Sequence, residues 1–204
     1  MPRATQAIIG ANVVVFLLQM TMGQTATIWL ALWPLNASAV FGPGIGFEPW
    51  QLVTYAFLHG GFAHIFFNMF ALYMFGSTLE QLFGTRWYVS LYFVSVVTAG
   101  VAQLAVSALM NSPYYTLGAS GGVFGLLLAF GMYFPRRRIM LIFPPIPMPA
   151  WLFVTLYGAL ELFLGVTGTQ AGVAHFAHLG GMLGAFLMIQ WRRGRPPFAN
   201  RRRR

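Results

Sequence analysis

The chain has 204 residues, 58% of them hydrophobic and 7% charged; its twelve basic residues are all Arg, its three acidic residues all Glu, and it contains no Cys. A water-soluble domain keeps its surface wet with about a quarter of charged residues, so a soluble globular domain is excluded, and disulfides and thiolate metal sites are excluded with it. The formal net charge of +9 raises nucleic acid as a partner, and the placement of the charges decides that question.

In chain order, the apolar runs predict six membrane spans of the roughly 20 residues that a bilayer requires. The first covers about 7–22. Residues 23–50, with Trp29, Trp33, Pro34, Pro43 and Trp50, are too broken for a membrane helix and too apolar for a solvated linker. They read as a long outer loop packed at the membrane surface with Trp anchors at the interface. A short helix at 50–58 leads into span 2, about 59–83, and Gly84-Thr85 makes a tight turn. Span 3 covers about 87–110 and is broken by Asn111-Ser112-Pro113. Span 4, about 117–134, is followed by Arg136-Arg137-Arg138 and a Pro-rich stretch at 144–149. Span 5, about 150–166, and span 6, about 173–191, flank a loop of small residues, and an Arg-rich tail occupies 192–204. The expected fold class is an all-α membrane protein, one six-helix domain over 1–204. A cleaved signal peptide is the other reading of span 1; it is set aside because the remaining core would expose the face of its missing neighbour.

The Arg positions test this topology. Arg3, Arg86, Arg136 to Arg138, Arg192, Arg193, Arg195 and Arg201 to Arg204 all fall on one side of a six-span chain. By the positive-inside rule that side is cytoplasmic, with both termini inside and the loops at 23–50, 111–116 and 167–172 outside. The charge is therefore a topology marker, with the tail placed to touch anionic lipid. No nucleic-acid partner is expected.

Polar groups inside a bilayer are costly and default to functional hypotheses. Span 2 carries His64 and Asn68, one helical turn apart on one face; span 4 carries Ser120 about three or four residues in, and span 6 carries His178 about five residues in. At 1.5 Å per residue these lie roughly 5 to 14 Å below the outer ends of their helices. A hydroxyl, an imidazole and further hydrogen-bond donors at one level are the parts required for acyl transfer. Gly118, Gly121, Gly122 and Gly125 clear space around Ser120. Gly180, Gly181, Gly184 and Ala185 give span 6 a small-residue face suited to close helix packing.

These motifs resemble those of the rhomboid intramembrane serine proteases. Gly118-Ala119-Ser120-Gly121 with Phe124-Gly125 is similar to the nucleophile motif, and Ala177-His178-Leu179-Gly180-Gly181 to the catalytic-histidine motif. The His59-x4-His64-x3-Asn68 spacing resembles the second-span signature. Leu79-Glu80 with Gly84 resembles the end of that span, and Trp50-Gln51 stands where the family has Trp-Arg. The resemblance covers nearly the whole chain. It implies a six-span bundle with a partly membrane-embedded first outer loop, in a bacterial inner membrane, acting on transmembrane protein substrates without cofactor or metal. It implies Ser120 as nucleophile and His178 as general base and then acid, with Asn68, His64 and the Ser120 backbone N–H as oxyanion hole. Phe124 would stack on His178, Gly118, Gly121 and Gly181 would support the site, and span 5 would move to admit a substrate helix. Gln51 in place of Arg puts the loop-anchoring contacts in question.

Other residues compete for these roles. His175, one turn from His178, is the rival base, and the Ala-His-x-x-Gly frame favours His178. His59 reads as an organiser of the outer loop, and His64 with Asn68 could instead form an interhelical pair. Glu161, near the depth of the dyad in span 5, is the candidate if an acid orients His178; it reads first as an interhelical hydrogen-bond partner or part of the span 5 gate. Glu80 reads as a cap or loop anchor, and Glu48 is poorly placed for a triad. Three alternative classes stand beside proteolysis: a non-proteolytic binder of transmembrane helices, a His-ligated haem or metal protein, and a transporter, for which paired broken helices are lacking. The metal reading is set aside on the ground that no carboxylate or Cys completes a ligand shell.

Overall fold

Long runs of apolar residues without Pro, in a solvent that cannot satisfy backbone polar groups, leave the helix as the available conformation. In the computed structural model, which describes residues 1–140, 145–168 and 173–194, α1 covers Arg3–Met22 and α2 covers Gln24–Leu30. Two short helices follow, α3 (Ala37–Phe41) and α4 (Gln51–Thr54), and a 3-10 turn spans Tyr55–Phe57. The second apolar run forms α5 (Phe62–Ala71), a π turn at Leu72–Gly76 and α6 (Ser77–Phe83). Beyond it are α7 (Thr85–Met110), α8 (Ser120–Tyr133), β1 (Arg138–Met140), β2 (Pro147–Pro149), α9 (Ala150–Thr167) and α10 (His175–Arg193). The predicted loop segments at 141–144 and 169–172, with Pro144, and the tail at 195–204, with Arg195 and Arg201 to Arg204, lie outside the described residues.

Among the described residues, four helices are long and apolar enough to cross a membrane: α1, the Phe62–Phe83 run, α7 and α9. The other two predicted spans differ instructively. Helix α8 has 14 residues, roughly 21 Å of rise, shorter than the roughly 30 Å hydrocarbon core. It is nevertheless the most enclosed helix, with ten buried residues, and packs against α7, α9 and α10. Span 4 was expected from 117, but Gly118 holds a φ of +126°, which delays the helix to Ser120. Helix α10 carries two His and two Arg, which lower its hydropathy, and it is screened from lipid by extensive packing on α7 and α8.

The Arg-bearing ends meet one another. Arg192 lies over the Trp87 ring at 4.5 Å and Arg193 over Tyr133 at 4.3 Å, so the α6–α7 turn, the end of α8 and the end of α10 share one face. Glu80 joins α1 to that face. Its buried carboxylate accepts hydrogen bonds from the Ala4 and Thr5 backbone N–H groups, the Thr5 hydroxyl and the Thr85 hydroxyl, at 2.7 to 3.0 Å. An acid on the exposed amides of a helix start satisfies both the hydrogen bonds and the helix dipole.

The first outer loop departs from expectation at Trp33. Trp29 and Trp50 are exposed, as interfacial anchors would be, but Trp33 is buried, and its indole N–H is shared between the Thr27 and Ile28 carbonyls. Gln51 supplies the loop anchor: buried, it accepts from the Trp33 and Glu48 N–H groups and donates to the Gly46 carbonyl. The Pro-rich stretch contributes one strand of an antiparallel pair, Arg138 opposite Pro149 and Met140 opposite Pro147. Proline tolerates this because a two-stranded sheet has only edges.

Candidate active site

Three elements converge on Ser120. Before it, the chain is held extended by the Leu32–Thr116 backbone pair and by the Gly118 N–H donating to the Tyr55 carbonyl at 2.9 Å. Gly118 is obligatory there. Its positive φ disfavours a side chain, and a Cβ would lie 2.8 Å from the His64 ring and 3.7 Å from Ser120 Oγ. His64 and Ser120 thus flank one side-chain-free residue. The first helical bond of this segment runs from Val123 N–H to the Ala119 carbonyl. The N–H groups of Ser120, Gly121 and Gly122 precede it, as at any helix start.

Helix α10 brings the imidazole. The helices α8 and α10 touch backbone to backbone: a Cβ on Gly181 would collide with the Gly121 carbonyl, while one on Gly121 would collide with Ala99 of α7. This contact sets His178 Nε2 at 2.8 Å from Ser120 Oγ. Phe124, one turn beyond Ser120, stacks on the His178 ring at 4.1 Å between centroids and 3° between planes. Tyr157 of α9 packs on the far side of Phe124 at 5.0 Å. His178 is buried, 8% exposed.

Helix α9 brings a carboxylate, and Glu161 is the interhelical hydrogen-bond partner that the sequence reading put first. Glu161 Oε2 lies 2.8 Å from His178 Nδ1, so a carboxylate stands on the imidazole nitrogen opposite the serine. The same oxygen lies 2.7 Å from His175 Nδ1. Glu161, His175 and His178 are all buried. The ground for dismissing a metal shell is corrected, because a carboxylate does accompany two histidines: one ligand atom from each of the three lies within 4.8 Å of the others. The 2.7 and 2.8 Å separations are those of charge-assisted N–H···O bonds, and His178 Nε2 is turned to the serine.

His175, the rival base, is turned towards Glu161; its Nε2 is buried without a hydrogen-bond partner among the described residues. Asn68 donates one amide hydrogen to the His64 carbonyl, and His64 Nδ1 accepts from the Gly60 N–H at 3.2 Å. His59 is bound through its backbone to the Gln19 side-chain amide, and its ring packs edge-on against His64. The sequence reading missed Gln51 as anchor, Tyr55, whose carbonyl holds Gly118 and whose hydroxyl donates to Val96, and Tyr157.

Ser120, His178, Asn68 and His64 line one open cavity of about 1630 Å³. It extends between α5, at Phe67, and α9, at Leu156 and Leu160, down to Ile139 of β1. Chemically, an imidazole nitrogen on a serine hydroxyl can accept its proton and make it a nucleophile.

A helical membrane bundle with a serine–imidazole pair on the wall of a laterally open cavity defines a narrow class of membrane protein. A family model described as the rhomboid domain matches residues 46–194, and the chain belongs to the rhomboid family. It is 28% identical over 171 residues to the rhomboid protease GluP of Bacillus subtilis (strain 168), covering 84% of this chain and 31% of that protein. It is 32% identical over 142 residues to Rhomboid protein 1, mitochondrial, of Saccharomyces cerevisiae, covering 65% and 39%. Against the rhomboid protease GlpG of Yersinia pestis it is 28% identical over 184 residues, covering 88% and 59%. The chain therefore spans between about a third and three fifths of the length of these relatives.

Proposed function

We propose that this chain is an intramembrane serine endopeptidase that hydrolyses peptide bonds in or near the transmembrane helices of other membrane proteins. The observation that carries the reading is the 2.8 Å Ser120 Oγ–His178 Nε2 hydrogen bond on the wall of the cavity between α5 and α9. His178 takes the Ser120 proton as Oγ attacks the carbonyl, then gives it to the leaving amine. The developing oxyanion is met by the Ser120 backbone N–H at the start of α8, by Asn68 and by His64. Phe124 and Gly118 hold the rings of His178 and His64 in place. The substrate helix enters sideways between α5 and α9, whose exposed Phe66, Phe67, Leu156 and Leu160 suit contact with lipid or an apolar helix. Water reaches the serine from the outer face, because α8 starts below it.

In this reading the Arg-bearing face is cytoplasmic, the outer loop and the site face outward, and the bacterial inner membrane is the location. The rhomboid unit over residues 1–204 acts as one domain. Purified wild-type protein in detergent is expected to react with a serine-directed fluorophosphonate and to cleave a model transmembrane substrate, and Ser120→Ala is expected to abolish both. A Ser120→Ala protein that still cleaves would end the assignment. A wild type that binds the substrate helix without labelling or cleavage would point to the non-proteolytic class.

A further inference from the structure

We infer that Glu161 is a positioning residue for His178, completing a serine–imidazole–carboxylate relay, and that His175 holds its carboxylate in place. This inference rests on the protease reading. An ionised carboxylate only accepts hydrogen bonds, so Glu161 Oε2, at 2.8 Å from His178 Nδ1 and 2.7 Å from His175 Nδ1, requires a hydrogen on each Nδ1. For His178 this selects the tautomer whose Nε2 lone pair faces Ser120 Oγ at 2.8 Å. When His178 takes the serine proton it becomes an imidazolium, and the buried carboxylate on its other nitrogen balances that charge. The three side chains come from α8, α9 and α10, so only the packed bundle assembles the relay. Among the described residues, the other titratable groups lining the cavity that His178 lines are His64 from α5, Tyr157 from α9, and Tyr114 and Tyr115 from the segment before α8.

The second bond explains the arrangement further. A carboxylate on α9 would be free to rotate if His178 were its only partner, and the Nδ1–H of His175, one turn earlier on α10, fixes the oxygen from a second direction. The burial of all three residues removes the competition of water for that oxygen.

The test is the pH dependence of kcat/KM for a model substrate, with kcat and KM separated and the fluorophosphonate rate measured alongside. Glu161→Gln preserves shape and removes charge. It is expected to lower kcat by about tenfold to a thousandfold with KM within about threefold, and to move the acid limb of the profile to lower pH by about one unit or more. The sign follows because a less stabilised imidazolium gives up its proton at lower pH. A folded Glu161→Gln protein with an unmoved acid limb and kcat within about threefold of wild type would overturn the inference. Glu161→Asp, which keeps the charge but withdraws it by one methylene, is expected to hold the acid limb and lower kcat by at least about threefold; full wild-type rates in that variant would equally overturn it. Failure of the protease reading is separately visible, since it appears in Ser120→Ala and in the labelling of the wild type.

Discussion

At the scale of single residues, the site turns on which nitrogen faces which oxygen. Two histidines one helical turn apart carry the same chemistry, and their separation into roles comes from orientation: His178 Nε2 faces Ser120, whereas both Nδ1 atoms face Glu161. His175→Gln keeps an N–H donor near the Glu161 carboxylate and is therefore expected to retain kcat/KM within about tenfold. A loss as complete as that of His178→Ala, measured on the same transmembrane substrate, would reverse the assignment of the two histidines. Ser120, His178 and the shared depth of His64 and Asn68 were legible in the sequence, because counting residues from a helix end gives depth. Glu161 was legible as an interhelical hydrogen-bond partner and as the candidate acid near that depth, but not as the partner of both histidines. Its azimuth about α9 depends on how the helix is rotated by packing, which no count along one helix supplies. The buried role of Trp33 escaped for a related reason: three Trp residues in one loop carry the same interfacial preference, and only the fold of the loop decides that Trp33 is buried, with its indole N–H on the Thr27 and Ile28 carbonyls.

At the scale of elements, the feature that governs the chemistry is the seam between α8 and α10. Gly181 brings the α10 backbone onto the Gly121 carbonyl, where a side chain at 181 would separate the two helices. Gly181→Val is expected to force the helices apart, lowering stability by about 1–3 kcal/mol and Ser120 reactivity by about a hundredfold, read as a drop in detergent Tm and in fluorophosphonate labelling. Normal labelling with a lowered Tm would mean that the seam serves stability alone. The glycine pattern of both helices was readable in advance, since small residues at helical spacing announce close packing. The strand pair at Arg138–Met140 and Pro147–Pro149 was not, because prolines normally argue against strands and only an edge position excuses them. What holds the start of α8 was equally hidden: the positive φ of Gly118 and the Tyr55 carbonyl that accepts its N–H.

At the scale of the whole molecule, the proposed function gives the cavity between α5 and α9 a partner that is itself a helix. In that proposal the helix must unwind before its amide can reach Ser120, because an intact helix already satisfies that amide. Gly or Pro placed near the outer end of a substrate helix is expected to raise kcat/KM by about fivefold or more over an Ala-rich control. Equal rates across such a series, measured with purified protein in liposomes, would count against entry of a helix that unwinds. The backbone contact at Gly121 and Gly181 has one more consequence. A spacing fixed by main-chain atoms behaves as a ruler with no adjustable part, insulated from the thickness and composition of the surrounding lipid. Bilayers that tilt or stretch the outer helices would then alter how often a substrate enters, while leaving the intrinsic reactivity of a serine already in contact with its imidazole unchanged.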